Sequence, residues 1–212
     1  MSLSALRVAA LMEIALLAAG ASPDVPATAG LSSAMGSAII SEITANAVVP
    51  GPTFIAPSSG GALTGQSTVT NLDGPRLKVP LKAALIAAGA ADIQMTDDLA
   101  SGIANAMVDE IEGFAVCPPN GLTSTNTPAA PGAVTGTGTI TSVNPLRLAL
   151  PIANALVAAG AASSLETALL GLALATAVLG EILAFAAVVP PAPPALVAPA
   201  GGGPLVGALG VS

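Results

Sequence analysis

Three glutamates, Glu42, Glu110 and Glu181, each followed by isoleucine, return about every 70 residues and are the groups of this chain best placed to do chemistry. Brought together on one axis, three carboxylates would offer hard oxygen ligands to a cation. Set instead beside the recurring cations Arg7, Lys78 and Arg147, they would form a repeated structural ion pair. The ion pair is the preferred reading, because the sequence supplies no additional ligands around the glutamates.

Little other chemistry is available. The chain has no His, Tyr or Trp, so the usual general base near neutral pH and the commonest metal ligand are both missing. Its serines and threonines therefore have no base to activate them. Asp97-Asp98 and Asp109-Glu110 are neighbours on a helix, and adjacent helical residues do not face each other as a catalytic carboxylate pair must. Gly136-Thr-Gly138 lacks the Lys-Ser/Thr of a phosphate loop and leads into no suitable helix. The single Cys117 precedes Pro118-Pro119 and reads as a small buried hydrophobe. The sequence thus offers no catalytic, cofactor-binding or metal-ligating residues, and no enzyme, cofactor or small-molecule substrate is expected.

Five cations against twelve acids leave a net charge of −7, and no basic stripe exists. Direct nucleic-acid binding, which draws most of its affinity from phosphate neutralisation, is not expected. With three aromatic residues in 212 there are no base-stacking platforms either.

The elements that must position these residues repeat with them. Leu16-Leu-Ala-Ala-Gly20 returns as Leu85-Ile-Ala-Ala-Gly89 and Leu156-Val-Ala-Ala-Gly160. Apolar-cation-apolar triplets precede them at Leu6-Arg7-Val8, Leu77-Lys78-Val79 and Leu146-Arg147-Leu148, and Gly-rich segments follow from Gly61, Gly132 and Gly203. Four markers in the same order divide the chain into repeats at 1–72, 73–143 and 144–212. Each repeat predicts a first helix such as 4–19, closed by a glycine. A second helix is predicted near 29–47, 97–115 and 165–187, with Thr96-Asp97-Asp98 and Ser163-Ser164 as caps. These second helices are expected to stop at Pro50, Pro118 and Pro190. An extended loop follows, polyproline-like at Pro190-Pro-Ala-Pro-Pro194, and then one β-strand, as at Val134, Gly136, Gly138 and Ile140.

The expected fold is α+β, mainly α: three tandem units of helix, helix, extended loop and strand. A lone strand leaves its backbone groups unpaired, so neighbouring units must complete it. A linear stack or a closed pseudo-threefold ring would both do so, and the ring is preferred. Ala19-Gly-Ala21-Ser22 looks like a leader cleavage site, but Glu13 interrupts the apolar run and the same segment recurs within the chain, so it is read as the first helix of a repeat. Residues 165–189 are long and apolar enough to span a bilayer. Their counterparts at 31–49 and 99–117 are more polar, which favours one buried helix position common to all three units.

The stretch Ile43-Thr-Ala-Asn46-Ala-Val-Val49, a Pro/Gly loop and the Gly136-Thr-Gly-Thr-Ile-Thr141 strand together resemble small structural proteins of tailed phages and phage-tail-like particles. This chain departs from that pattern in being triplicated, with a third copy as apolar as Gly203-Pro-Leu-Val-Gly207-Ala-Leu. The resemblance implies a virion component in a capsid, tail or baseplate, assembled in the host cytoplasm, whose partners are other structural proteins and copies of itself. The alternatives are a membrane-associated helical protein with its third repeat in lipid, and an extracellular surface repeat protein.

Overall fold

Ser4, Asp73 and Asn144 each stand in extended backbone just ahead of a helix, and each side chain accepts a hydrogen bond from a backbone N–H of the first turn. This satisfies donors that a helix start leaves unpaired. The computed structural model describes residues 2–20, 26–190 and 196–212. Its helices are α1 (Ala5–Ala18), α2 (Pro26–Asn46), α3 (Gly74–Ala87), α4 (Gln94–Phe114), α5 (Pro145–Ala158) and α6 (Leu165–Phe185). About 53% of the residues are helical and 21% lie in strands, so the fold is α+β and mainly α.

The shorter helices α1, α3 and α5 each have 14 residues and the longer α2, α4 and α6 each have 21. Gly20, Gly89 and Gly160 follow the shorter ones at φ of 94°, 100° and 91°. Only a residue without a Cβ takes up this left-handed closing turn freely.

Several sequence expectations need correction. Helix α4 starts at Gln94, with Ile93 as a cap that makes no side-chain bond. Asp97 is instead held by Lys78 and Lys82, and Thr96 Oγ1 donates back to the Ala91 carbonyl at 2.7 Å. Nor do the prolines end the second helices, which stop at Asn46, Phe114 and Phe185. Short strands intervene at Val48–Pro50, Val116–Cys117 and Ala187–Val189. The segments expected to be extended loops themselves contain strands, such as Phe54–Ala56, Leu122–Ser124 and Leu196–Ala198. The one strand expected at 134–140 is two, Gly132–Gly136 and Gly138–Thr139. They break where Gly136 takes φ 102° and a Cβ would stand 1.9 Å from the Gly121 carbonyl oxygen. The polyproline segment lies, beyond Pro190, outside the described residues, as do Ala21 and Ser22 of the leader-like site.

Strand pairing follows a circular order. Ser67–Thr68 pairs with Val116–Cys117, Gly138–Thr139 with Ala187–Val189, and Val206–Val211 with Val48–Pro50, all antiparallel. A second circuit joins Gly61–Ala62 to Leu122–Ser124, Gly132–Gly136 to Leu196–Ala198, and Gly203–Pro204 to Phe54–Ala56. The helices do the same: each packs on the helices before and after it, and α6 packs on α1.

Beneath both circuits lies one continuous apolar core. Matching positions bury alike: Met12, Leu81 and Ile152 on the shorter helices, Ile43, Ile111 and Ile182 on the longer ones, and Phe54, Leu122 and Leu196 on the strands are all nearly inaccessible to water. The prolines inside α3 and α5, Pro80 and Pro151, fall on exposed faces, where a lost backbone bond is made good by water. Replacing Ile152 with Ala leaves a cavity in this core and is expected to cost about 2–5 kcal/mol in urea-induced unfolding followed by circular dichroism.

Candidate functional site

The three glutamates do not converge on one point. Each lies near the end of a longer helix and is clasped by the start of a different shorter helix. Glu42 on α2 meets α3, Glu110 on α4 meets α5, and Glu181 on α6 meets α1. Among the described residues no three His, Cys, Asp or Glu side chains come close enough together to hold a metal ion.

The clasps share one geometry. Glu181 accepts from the Ser4 backbone N–H at 2.7 Å, from Arg7 Nη2 at 2.5 Å and from Arg7 Nε at 2.9 Å. Glu110 accepts from the Asn144 N–H at 2.7 Å, from Arg147 Nη2 at 2.8 Å and from Arg147 Nε at 3.0 Å. Glu42 accepts from the Asp73 N–H at 3.1 Å, from Arg76 Nη2 at 2.5 Å and from Arg76 Nε at 2.9 Å. Each arginine also donates through Nη2 to a backbone carbonyl five residues earlier, at Ser2, Asn71 or Ser142. The carboxylates are buried and the guanidinium groups remain partly in water. The planar fork of arginine satisfies both carboxylate oxygens at once.

The middle cation of the ion-pair expectation is therefore Arg76 and not Lys78. Arg7, Arg76 and Arg147 are each the third residue of their helix, whereas Lys78 lies further along α3 and pairs with Asp97. The spacing to the closing glycine carries the signal: Arg7 to Gly20, Arg76 to Gly89 and Arg147 to Gly160 are equal intervals of 13 residues, and Lys78 is two residues out of step.

All five cations of the chain are in ion pairs, with Lys82 held by Asp92 and Asp97. Burial alone would raise the Glu42 carboxyl, but the Arg76 guanidinium, the Asp73 N–H and the Asn46 amide outweigh it and hold Glu42 below the usual Glu value. Cys117 is fully buried in its strand, and desolvation pushes its thiol up to about 11.

Two grooves run between clasped helices. One, of about 480 Å³, lies between α1 and α6 and is walled by Leu11, Ile14, Leu169, Leu170 and Ala173, with Glu166 at its edge. The other, of about 680 Å³, lies between α2 and α3 beside Glu42, Asn46 and Arg76. Around them the shorter helices turn large apolar side chains to solvent. Leu6 is 79% exposed, Val79 and Leu146 69%, and Leu150 65%. Exposed apolar side chains of this kind are typical of contact surfaces. No protein-family model, curated protein or solved structure matches this chain.

Two outcomes follow from the buried groups. Because the Glu42 carboxyl is lowered in the folded state, the unfolded chain takes up its proton first as pH falls. Its contribution is therefore complete above the ordinary Glu range and disappears through the lowered value. The stability difference between wild type and Glu42→Gln, measured by urea titration, should be largest near neutrality and shrink progressively below about pH 4.3. Cys117 should resist an aromatic disulfide reagent at pH 8 in the folded protein and react fully in denaturant; prompt reaction when folded would contradict its burial.

Proposed function

We propose that this chain is a structural assembly protein. It is built as three copies of one unit of about 70 residues around a pseudo-threefold axis. It forms part of a phage virion, in the capsid, tail or baseplate, or of a phage-tail-like particle, by packing and by strand and loop contacts with copies of itself and other structural proteins. The pseudo-threefold arrangement is supported by three like clasps and by circular pairing among both strands and helices, in which segment 144–212 reaches back to segment 1–72. A linear stack would leave its first and last helices apart.

The observation that carries the assembly reading is the outward apolar face of α1, α3 and α5, at Leu6, Ile14, Val79, Leu146 and Leu150. Burying such side chains between chains is worth about 25 cal/mol per Å² removed from water. With every cation already paired within the chain, that apolar area is what remains to drive association. Internal threefold pseudo-symmetry suits a three- or sixfold position in a closed particle.

The membrane-associated reading draws on α6, whose mean hydropathy of 2.1 makes it the one helix among the described residues apolar and long enough to cross a bilayer. Its Gly171 packs against the α5 backbone, where an added Cβ would stand 2.7 Å from the Ala149 carbonyl oxygen. Glu181 on the same helix is sealed in its clasp. Both features tie α6 to the helices beside it, and 44% of its apolar window is buried in the protein.

Light scattering and negative-stain microscopy of protein in detergent-free buffer test the proposal. Regular rings, tubes or shells are expected, and Leu150→Asp should shift the population at least tenfold toward single chains without changing the circular dichroism spectrum. Protein that is monodisperse only in detergent or lipid would overturn the assembly reading in favour of the membrane one.

A further inference from the structure

Two of the three clasps carry an aromatic lid and the third does not. Phe185 stands four residues after Glu181, and its ring centre lies 4.0 Å from the Arg7 guanidinium carbon. Phe114 stands four residues after Glu110, with its ring centre 3.9 Å from that of Arg147. Four residues after Glu42 comes Asn46, whose amide donates to Glu42 Oε2 at 2.9 Å. Arg76 is otherwise held as its counterparts are, by the same forked bond to a carboxylate and the same bond to a backbone carbonyl.

With Asn46 in the place of the ring, the groove between α2 and α3 reaches Arg76, whose side chain is 42% exposed, as that of Arg7 is beside Phe185. The groove of about 680 Å³ between α2 and α3 is bounded by Asn46 and Arg76 together with Ala38, Pro80, Ala83 and Ala84. The chemistry of this space selects its occupant. Arg76 disfavours a cation and the adjoining Glu42 disfavours an anion, whereas a neutral ring presents its negative face to the guanidinium and its edges to apolar walls. The other two clasps already hold a ring in this way.

We propose that the α2–α3 groove is a docking slot for an aromatic side chain presented by a different protein chain, seated on Arg76 as Phe114 and Phe185 sit on Arg147 and Arg7. A second copy of this chain has no unengaged ring to offer, although Phe114 is 47% exposed beside Arg147. The chain has three Phe and no Tyr or Trp; Phe54 is wholly buried, and the other two are engaged on their own arginines. The inference rests on the assembly reading for the source of the ring, and it breaks the threefold equivalence by giving one junction a partner of its own.

Because the chain lacks Trp and Tyr, the fluorescence of N-acetyl-tryptophanamide can be followed in its presence without background. Titration with wild-type protein should give a saturable blue shift of the probe. Asn46→Phe, whose ring fills the slot from within, should weaken binding about tenfold or more, while Asn46→Ala, which keeps the slot open, should retain it. Circular dichroism confirms that both variants fold. No saturable shift with wild type, or equal binding by Asn46→Phe, would overturn the proposal. Light scattering of the same wild-type sample reports separately on assembly, so a failure of that reading leaves the probe result to stand or fall alone.

Discussion

The buried carboxylate of Glu181 finds its hydrogen-bond partners only because a distant part of the chain reaches it. Its helix contributes no cation, so the Ser4 N–H and the Arg7 guanidinium, more than 170 residues away in sequence, must be brought to within hydrogen-bonding distance. Burying a carboxylate without hydrogen-bond partners is costly. The same constraint acts at Glu42 and Glu110, one junction at a time. Each clasp ties the end of a longer helix to the start of a shorter one.

Packing explains why so few large side chains suffice. Gly36 on α2 lies so close to α1 that an added Cβ would stand 3.0 Å from the Ala5 carbonyl oxygen. On α4, a Cβ at Gly102 would stand 2.7 Å from the Ala155 Cβ of α5. Small residues at such crossings let backbones approach, so the space between helices is filled by main chain and methyl groups and needs few aromatic rings.

Much of this was legible in the sequence, for reasons that differ by element. The helices α1, α3 and α5 announced themselves through Ala/Leu runs closed by Gly20, Gly89 and Gly160, where one residue type answers one backbone requirement. The glutamates stood out because charge is rare in the chain and an isolated acid in an apolar run must be partnered. The partner of Glu42 is hard to read, since Leu77-Lys78-Val79 mimics the triplet around Arg7 and only the interval to Gly89 separates Arg76 from Lys78. The strands within the Pro/Gly segments were not legible: two- and three-residue strands such as Ser67–Thr68 have no periodicity of their own and exist because a partner elsewhere in the chain completes them. Asn46 also passed unnoticed as a departure, because its meaning depends on the Phe114 and Phe185 rings lying over arginines.

The junction between α6 and α1 differs from the other two in one respect that its geometry conceals. The Glu42–Arg76 clasp closes a loop of 34 residues, whereas Glu181–Arg7 joins positions 174 apart. On the logarithmic scale of chain-closure entropy this separation costs roughly 1.4 kcal/mol more. The three clasps therefore look alike when made yet are unequal in the making. On chain-closure entropy alone, the two short-range junctions form at lower cost than the one between α6 and α1.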